Sequence, residues 1–180
     1  MTSAVLNAGR IEEIRGSIRA IPDFPKKGIL FRDITPLLMH REYFGDCIRY
    51  FHHYAEGTVD IVASIESRGF IFGSALAYAL GVGFVPIRKA GKLPHKTAAV
   101  SYDLEYGQAT VEIHQDSIES GARVLLIDDV LATGGTALAA SDLVRQLGGK
   151  VVGVYFLIEL LELSGREKLK GYAVNSLIQF

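Results

Sequence analysis

The chain has no tryptophan, two methionines and a single cysteine. Cys47 has no partner for an internal disulfide, which suits a reducing compartment, and its apolar-aromatic helical surroundings point to packing rather than chemistry. A surplus of one charge is missing too: 19 basic residues face 20 acidic ones, for a net charge of -1. That balance offers no whole-chain attraction to nucleic acid or an anionic membrane, so any anion site must be local. Long apolar runs are absent as well. The longest, Val151 to Ile158, is interrupted by Gly153 and is too short to cross a bilayer. The first residues lack the basic-then-apolar pattern of a signal peptide. A cytoplasmic protein without membrane or nucleic-acid partners is expected. His40, His52, His53, His95 and His114 show no metal-ligand spacing, which speaks against a zinc or haem protein. Neither a Gly-Lys-Ser/Thr phosphate loop nor a GxGxxG turn after a strand occurs.

What is present is an alternation. At 180 residues and 49% hydrophobic, the chain can bury one good core, and a single domain over residues 1–180 is expected. Ile11, Ile14, Ile18 and Ile21 predict an amphipathic first helix ended by Pro22 and Pro25, followed by a strand from Ile29 to Ile34. Arg41 to Glu56 reads as a helix, Val59 to Ile65 as a strand, Phe70 to Leu80 as a helix and Phe84 to Ile87 as a strand. Past Arg88, alternating stretches from Ala99 to Tyr106 and from Ala109 to Ile113 suggest a polar, hairpin-like excursion. Strand Val124 to Ile127, a helix after it, strand Val151 to Glu159, a short helix near Arg166 to Leu169 and a final apolar segment Ser176 to Phe180 complete the pattern. This order predicts an α/β fold with a mostly parallel twisted sheet flanked by helices, which binds ligands at the carboxyl ends of its strands.

Three segments fall at such ends. In VLLIDDVLATGGT, Val124 to Thr136, a buried strand leads to Asp128 and Asp129, then to a turn that opens a helix carrying Ala137, Leu138, Leu143, Val144 and Leu147 on its apolar positions. Gly134 and Gly135 let the backbone approach a ligand closely, and the unpaired amides at the helix start favour an anion. Thr133 and Thr136 add hydroxyl donors. Carboxylates beside a phosphate would repel it unless they faced another part of the ligand, for which ribose hydroxyls or hydrated magnesium are suited. A phosphorylated sugar is the ligand class that fits. The alternative is a capped helix with two solvated aspartates. Glu66-Ser67-Arg68-Gly69-Phe70 places a second anion donor, Arg68, at another strand end, and Arg88 to Pro94 puts three cations within five residues at a third. Either loop could also be an ordinary solvated turn.

Taken together, these motifs are similar to those of the adenine phosphoribosyltransferases, in the type I phosphoribosyltransferase family. The resemblance rests on the Asp128 motif, Pro22-Asp23-Phe24-Pro25, GILFRDITP from Gly28, ESRGF from Glu66, RKAGKLP from Arg88, Ser101-Tyr102 with Leu104 to Gly107, and GREKL from Gly165. One departure is Leu161, where proline is expected. The resemblance implies transfer of 5-phosphoribosyl from phosphoribosyl pyrophosphate to N9 of adenine, giving AMP and diphosphate in purine salvage, with substrate-bound magnesium and a homodimer. It assigns Ala132, Thr133, Gly134, Gly135 and Thr136 to the 5-phosphate. Asp128 and Asp129 go to the ribose and to magnesium-bound water, with no direct metal ligand among the side chains. Ser67, Arg68, Lys89 and Lys92 face the pyrophosphate, Arg68 also counting as catalytic. Leu30, Phe31 and Arg32 contact adenine, in an N-terminal hood of about residues 1–35. A lid of about residues 96–107 carries Tyr106 and Glu105, the residue implied in proton transfer. The Glu66–Ser67 peptide is implied to be cis. Ala132 stands where enzymes for 6-oxopurines carry aspartate, which favours a 6-aminopurine. A transferase for oxopurines and a non-catalytic sensor of phosphoribosyl pyrophosphate are the alternatives. Sensors of this kind carry a DNA-binding domain in front, and only about twenty residues precede Pro22 here.

Overall fold

A computed structural model of the chain describes residues 6–103 and 107–180. It divides into two compact units, the first ending at His53 and the second running from Tyr54 to Phe180.

In the first unit, α1 (Ala8–Gly16) is capped by Asn7, whose side chain accepts from the Arg10 amide. The predicted first helix is therefore too long. It stops at Gly16, where Ser17 turns its hydroxyl back onto the Ile14 carbonyl, and the chain leaves as strand β1 (Arg19–Pro22). Ile18 and Ile21 keep the spacing of a helical face, but Gly16 and Ser17 are poor helix formers and β-branched residues beyond them accept an extended strand. β1 pairs antiparallel with β2 (Leu30–Asp33), Ile21 opposite Phe31. The intervening loop turns at Asp23 (φ 57°) and Gly28 (φ 89°), the Asp23 carboxylate accepting from the Gly28 amide at 2.7 Å. A five-residue helix, α2 (Thr35–Met39), precedes α3 (Arg41–Ala55), whose last two residues belong to the second unit. Arg10 ties α1 to α3 through Glu42 and Asp46 and lies over the Tyr43 ring. Cys47 is fully buried on α3, and burial pushes its thiol up to about 12, as suits a packing residue.

The second unit is built on a seven-stranded sheet of order β5-β6-β4-β3-β7-β8-β9. Its strands are β3 (Ile61–Ile65), β4 (Gly83–Lys89), β5 (Thr97–Asp103), β6 (Gln108–His114), β7 (Arg123–Leu131), β8 (Lys150–Glu159) and β9 (Val174–Gln179). β3, β4, β7, β8 and β9 are mutually parallel, while β5 and β6 form a hairpin that joins β4 antiparallel at Arg88 and Lys89. The polar excursion is thus part of the sheet. Both faces of the central strands are covered, which is why VLLI reads as a continuous apolar run rather than an alternation. Ala63, Ile65, Val124 and Leu126 join the core cluster containing Leu143 and Val144 of α5 (Gly135–Gln146). Between them Ser64 points the other way, against Gly73 of α4 (Gly69–Leu80). Two 3₁₀ turns, Leu161–Leu163 and Gly165–Leu169, link β8 to β9. Leu161, the position expected to be proline, opens the first of them and is 53% exposed.

From β3 the chain builds outward to β4 on one side and later returns to β7 on the other. The strand order therefore reverses between β3 and β7, and in an open α/β sheet that is where a crevice opens beyond the carboxyl ends.

Candidate active site

At this reversal the loop after β3 and the acidic pair of β7 come together. Ser64 pairs with Ile127, so Glu66 to Arg68 leave β3 beside Asp128 and Asp129. β7 continues through both aspartates to Leu131, beyond the predicted strand end, which holds the two carboxylates on a rigid element rather than on a loop. The Glu66–Ser67 peptide is cis, as the resemblance implied. Gly69 is required at the head of α4, because a Cβ there would lie 2.6 Å from Asp128 Oδ1 and 3.0 Å from Ser64 Oγ.

These elements enclose a cavity of about 250 Å³ lined by Glu66, Ser67, Arg68, Lys89, Asp128, Asp129 and Thr136. Residues from three separate sequence motifs are thereby gathered in one place. Arg68 Nε lies 2.8 Å from Asp129 Oδ2. The two form an ion pair, yet the N–H is not aimed at that oxygen, and Oδ2 has no hydrogen-bond partner among the described residues. Asp129 is only 6% exposed, so the reading of two solvated aspartates does not hold. Asp128 accepts the Asp129 amide at 2.8 Å. Burial first, and then the neighbouring Asp129 carboxylate, push the Asp128 carboxyl well above the usual carboxylate range. An acid pair of this kind, half-buried at Asp128 and buried with an unsatisfied oxygen at Asp129, is poised for hydroxyls or a hydrated cation.

The cationic loop is arranged differently from expectation. Lys89 lines the cavity, but Lys92 is engaged by Glu66 at 2.6 Å. Glu66 also receives Arg88 Nε at 3.2 Å and the Lys89 amide at 3.3 Å, while Arg88 Nη1 reaches the Lys92 carbonyl. The Lys92 ammonium, against the cost of burial and helped by Arg88 and the Lys89 amide, holds the Glu66 carboxyl down to about 2. Glu66 therefore organises the loop from beneath. Its role left no mark in the sequence beyond its place in ESRGF.

A second, smaller cavity of about 70 Å³ shares Asp128 and Thr136 with the first and adds Ala132, Thr133 and Gly134. Gly134, the N-cap of α5, has φ 79°, a left-handed conformation that glycine adopts freely. The amides that follow it are helix-start donors without intrahelical acceptors. Gly135 packs against the Tyr102 ring, and Thr136 Oγ1 donates to the Tyr102 hydroxyl at 3.1 Å. The resemblance places Tyr102 only within the lid; its contact with Thr136 follows from the β5–β6 hairpin, which no local signal reports.

Leu30, Phe31 and Arg32 lie on β2 in the first unit. Leu30 is 48% exposed, and Phe31 meets the exposed Phe24 edge-on with centroids 5.1 Å apart. Phe31 is half-buried. Glu105 and Tyr106 lie outside the described residues. Among the described residues, no cluster of three or more acidic, histidine or cysteine side chains could hold a metal ion directly, and no helix is long and apolar enough to cross a membrane.

Residues 40–179 match the family described as phosphoribosyl transferase domain. An adenine phosphoribosyltransferase of Acetivibrio thermocellus is 52% identical over 170 residues, covering 93% of this chain and 99% of its own. A crystal structure of adenine phosphoribosyltransferase from Thermoanaerobacter pseudethanolicus is 53% identical and superposes with a TM-score of 0.92 over 94% of this chain and 99% of that one. The Saccharomyces cerevisiae adenine phosphoribosyltransferase, solved with an imino-altritol bisphosphate and adenine, is 41% identical with a TM-score of 0.89 over 95% and 99%.

Proposed function

The chain belongs to the adenine phosphoribosyltransferases of the phosphoribosyl transferase domain family, and from that premise we propose that it transfers 5-phosphoribosyl from phosphoribosyl pyrophosphate to N9 of adenine, giving AMP and diphosphate for purine salvage. The observation that carries the reading is the meeting of Arg68, Lys89, Asp128, Asp129 and Thr136 around one cavity, with the Ala132–Thr136 turn adjoining it. The close relatives favour this enzyme over a phosphoribosyl pyrophosphate sensor or an oxopurine transferase.

The backbone amides of Ala132 to Thr136, with the Thr133 and Thr136 hydroxyls, hold the 5-phosphate. Asp128 and Asp129 accept the ribose hydroxyls. Ser67, Arg68 and Lys89 neutralise the pyrophosphate as the bond from C1 to its oxygen breaks, and Lys92 adds charge on release from Glu66. The sugar gains cationic character as N9 approaches C1, so the catalytic demand is alignment and charge stabilisation rather than a protein nucleophile. The buried Asp129 Oδ2 without a hydrogen-bond partner and the Asp128 carboxylate fit the water shell of a magnesium ion brought in by the substrate. Such an ion, when bound, offsets the charge of the diphosphate.

Adenine is read by Phe31 stacking and by the backbone of Leu30 and Arg32, and Ala132 leaves the 6-amino group unopposed. Glu105 exchanges the proton of the purine imidazole, while Tyr106 belongs to the lid that excludes water. A homodimer is part of the proposal: α4, which starts at Gly69, exposes Ile71 and Tyr78, the latter at 90%. The lone buried Cys47 suits the cytoplasm.

Nucleotide formation from phosphoribosyl pyrophosphate and magnesium, with adenine, hypoxanthine, guanine and xanthine offered separately, tests the reading. Adenine-selective AMP formation is expected; a preferred oxopurine would overturn the base assignment. In the same assay Glu105→Gln should lower turnover by about 10² or more with little change in the KM for adenine. Turnover within about threefold of the parent would remove Glu105 from proton transfer.

A further inference from the structure

We propose that Glu159 and Arg166 are positioning residues for the 5-phosphate loop and that they act through Gly165. The inference rests on the assignment of that loop to the substrate's 5-phosphate. The loop and the Gly165–Leu169 turn touch backbone to backbone. A Cβ on Gly165 would lie 2.1 Å from the Ala132 carbonyl oxygen and 2.9 Å from the Gly134 nitrogen. In return, a Cβ on Gly134 would lie 2.3 Å from the Gly165 carbonyl oxygen. Neither position admits a side chain, so the path of the loop is set by the surface of the turn beneath it.

The turn is itself held from behind. Glu159, the last residue of β8, is 3% exposed. Its two oxygens accept Arg166 Nε at 2.8 Å and Arg166 Nη2 at 2.5 Å, in the two-pronged geometry that fixes a guanidinium in orientation as well as distance. Ser176 and Gln179 of β9 donate to the same carboxylate. Arg166 Nη1 reaches the Val174 carbonyl at 2.9 Å, and the Leu160 amide joins the Leu131 carbonyl at 2.9 Å, so the ends of β7, β8 and β9 converge around the turn. Only the carboxylate side of this pair is buried, Arg166 being 44% exposed; such a pair adds little net stability, and holding one geometry is the use its two-pronged contact serves better. An anion cradle made of amides needs that precision, because its donors must sit within about 0.5 Å of their places.

The test is titration calorimetry of ribose 5-phosphate, which occupies the loop without base chemistry, together with steady-state kinetics of Arg166→Ala. The variant should weaken ribose 5-phosphate and raise the KM for phosphoribosyl pyrophosphate by a similar factor of at least about tenfold, equivalent to about 1.4 kcal/mol. The KM for adenine should stay within about twofold. A merely structural role would instead lower the active fraction, reducing kcat with both KM values unchanged, and that result overturns the proposal. So does parent-like ribose 5-phosphate binding by a folded variant. If Arg166→Ala fails to fold, Glu159→Gln, which keeps the volume and one acceptor oxygen, carries the same expectation and the same refutation. A parent protein that binds no ribose 5-phosphate would overturn the phosphate assignment and this inference with it; binding by the parent without any loss in the variant overturns this inference alone.

Discussion

Asp128 and Asp129 are adjacent carboxylates, the first half-buried in the cavity wall and the second buried, and the Asp128 carboxyl is raised well above the usual range by burial and by its neighbour's charge. For Asp128 the unfolded chain ionises near pH 3.9, below the folded value, so the unfolded state loses its proton first. Stability at this residue therefore falls as pH rises from about 4, and the deficit is present at neutral pH. Asp128→Asn keeps an acceptor for the Asp129 amide and removes the repulsion. It should raise the melting temperature at pH 7 while lowering turnover by at least about tenfold. A lower melting temperature would show that the pair is not strained by its charge. Glu66 has the opposite sign. Held at about 2, it stabilises the loop at neutral pH, and that contribution is lost as pH falls from about 4.3 toward 2.

Among the elements, α4 crosses the sheet closely enough that glycine is the only residue that fits at two of its positions. A Cβ on Gly73 would stand 2.5 Å from Ser64 Cβ, which the β3 backbone holds in place, and 2.9 Å from Phe84 Cε2. Alanine would gain about 1 kcal/mol of helix propensity, but forcing α4 off the sheet should cost more, on the order of 1–3 kcal/mol net. Urea unfolding of Gly73→Ala measures it, and a change within about 0.5 kcal/mol would mean the helix shifts freely. Most elements of this unit were legible because their signals are local: VLLI for a strand covered on both faces, Gly69 and Gly81 bounding α4. The first helix misled because Ile18 and Ile21 continue its spacing after Gly16 and Ser17 have ended it. β1 was hidden in the same stretch, and the hairpin of β5 and β6 gave its alternation but not its partner, β4.

On the scale of the whole molecule, the exposed Ile71 and Tyr78 belong to the helix whose first residues follow Arg68, proposed to face the pyrophosphate. If a second copy covers that face, assembly and activity are linked. Sizing at micromolar concentration should give a dimer, and dilution that separates it should reduce turnover; a fully active monomer would refute the proposal.

The amino-acid sequence by itself determined the chemistry: the acid pair, the glycine-threonine turn and the Arg68 loop are each contiguous, and each follows a strand whose direction places it at one sheet edge. What only the tertiary structure decided is how distant groups hold one another. Lys92 on Glu66, Tyr102 on Thr136 and Gly165 beneath Gly134 join residues 26, 34 and 31 positions apart. Such pairings depend on strand order and on which backbones can touch, and no periodicity along the chain encodes them.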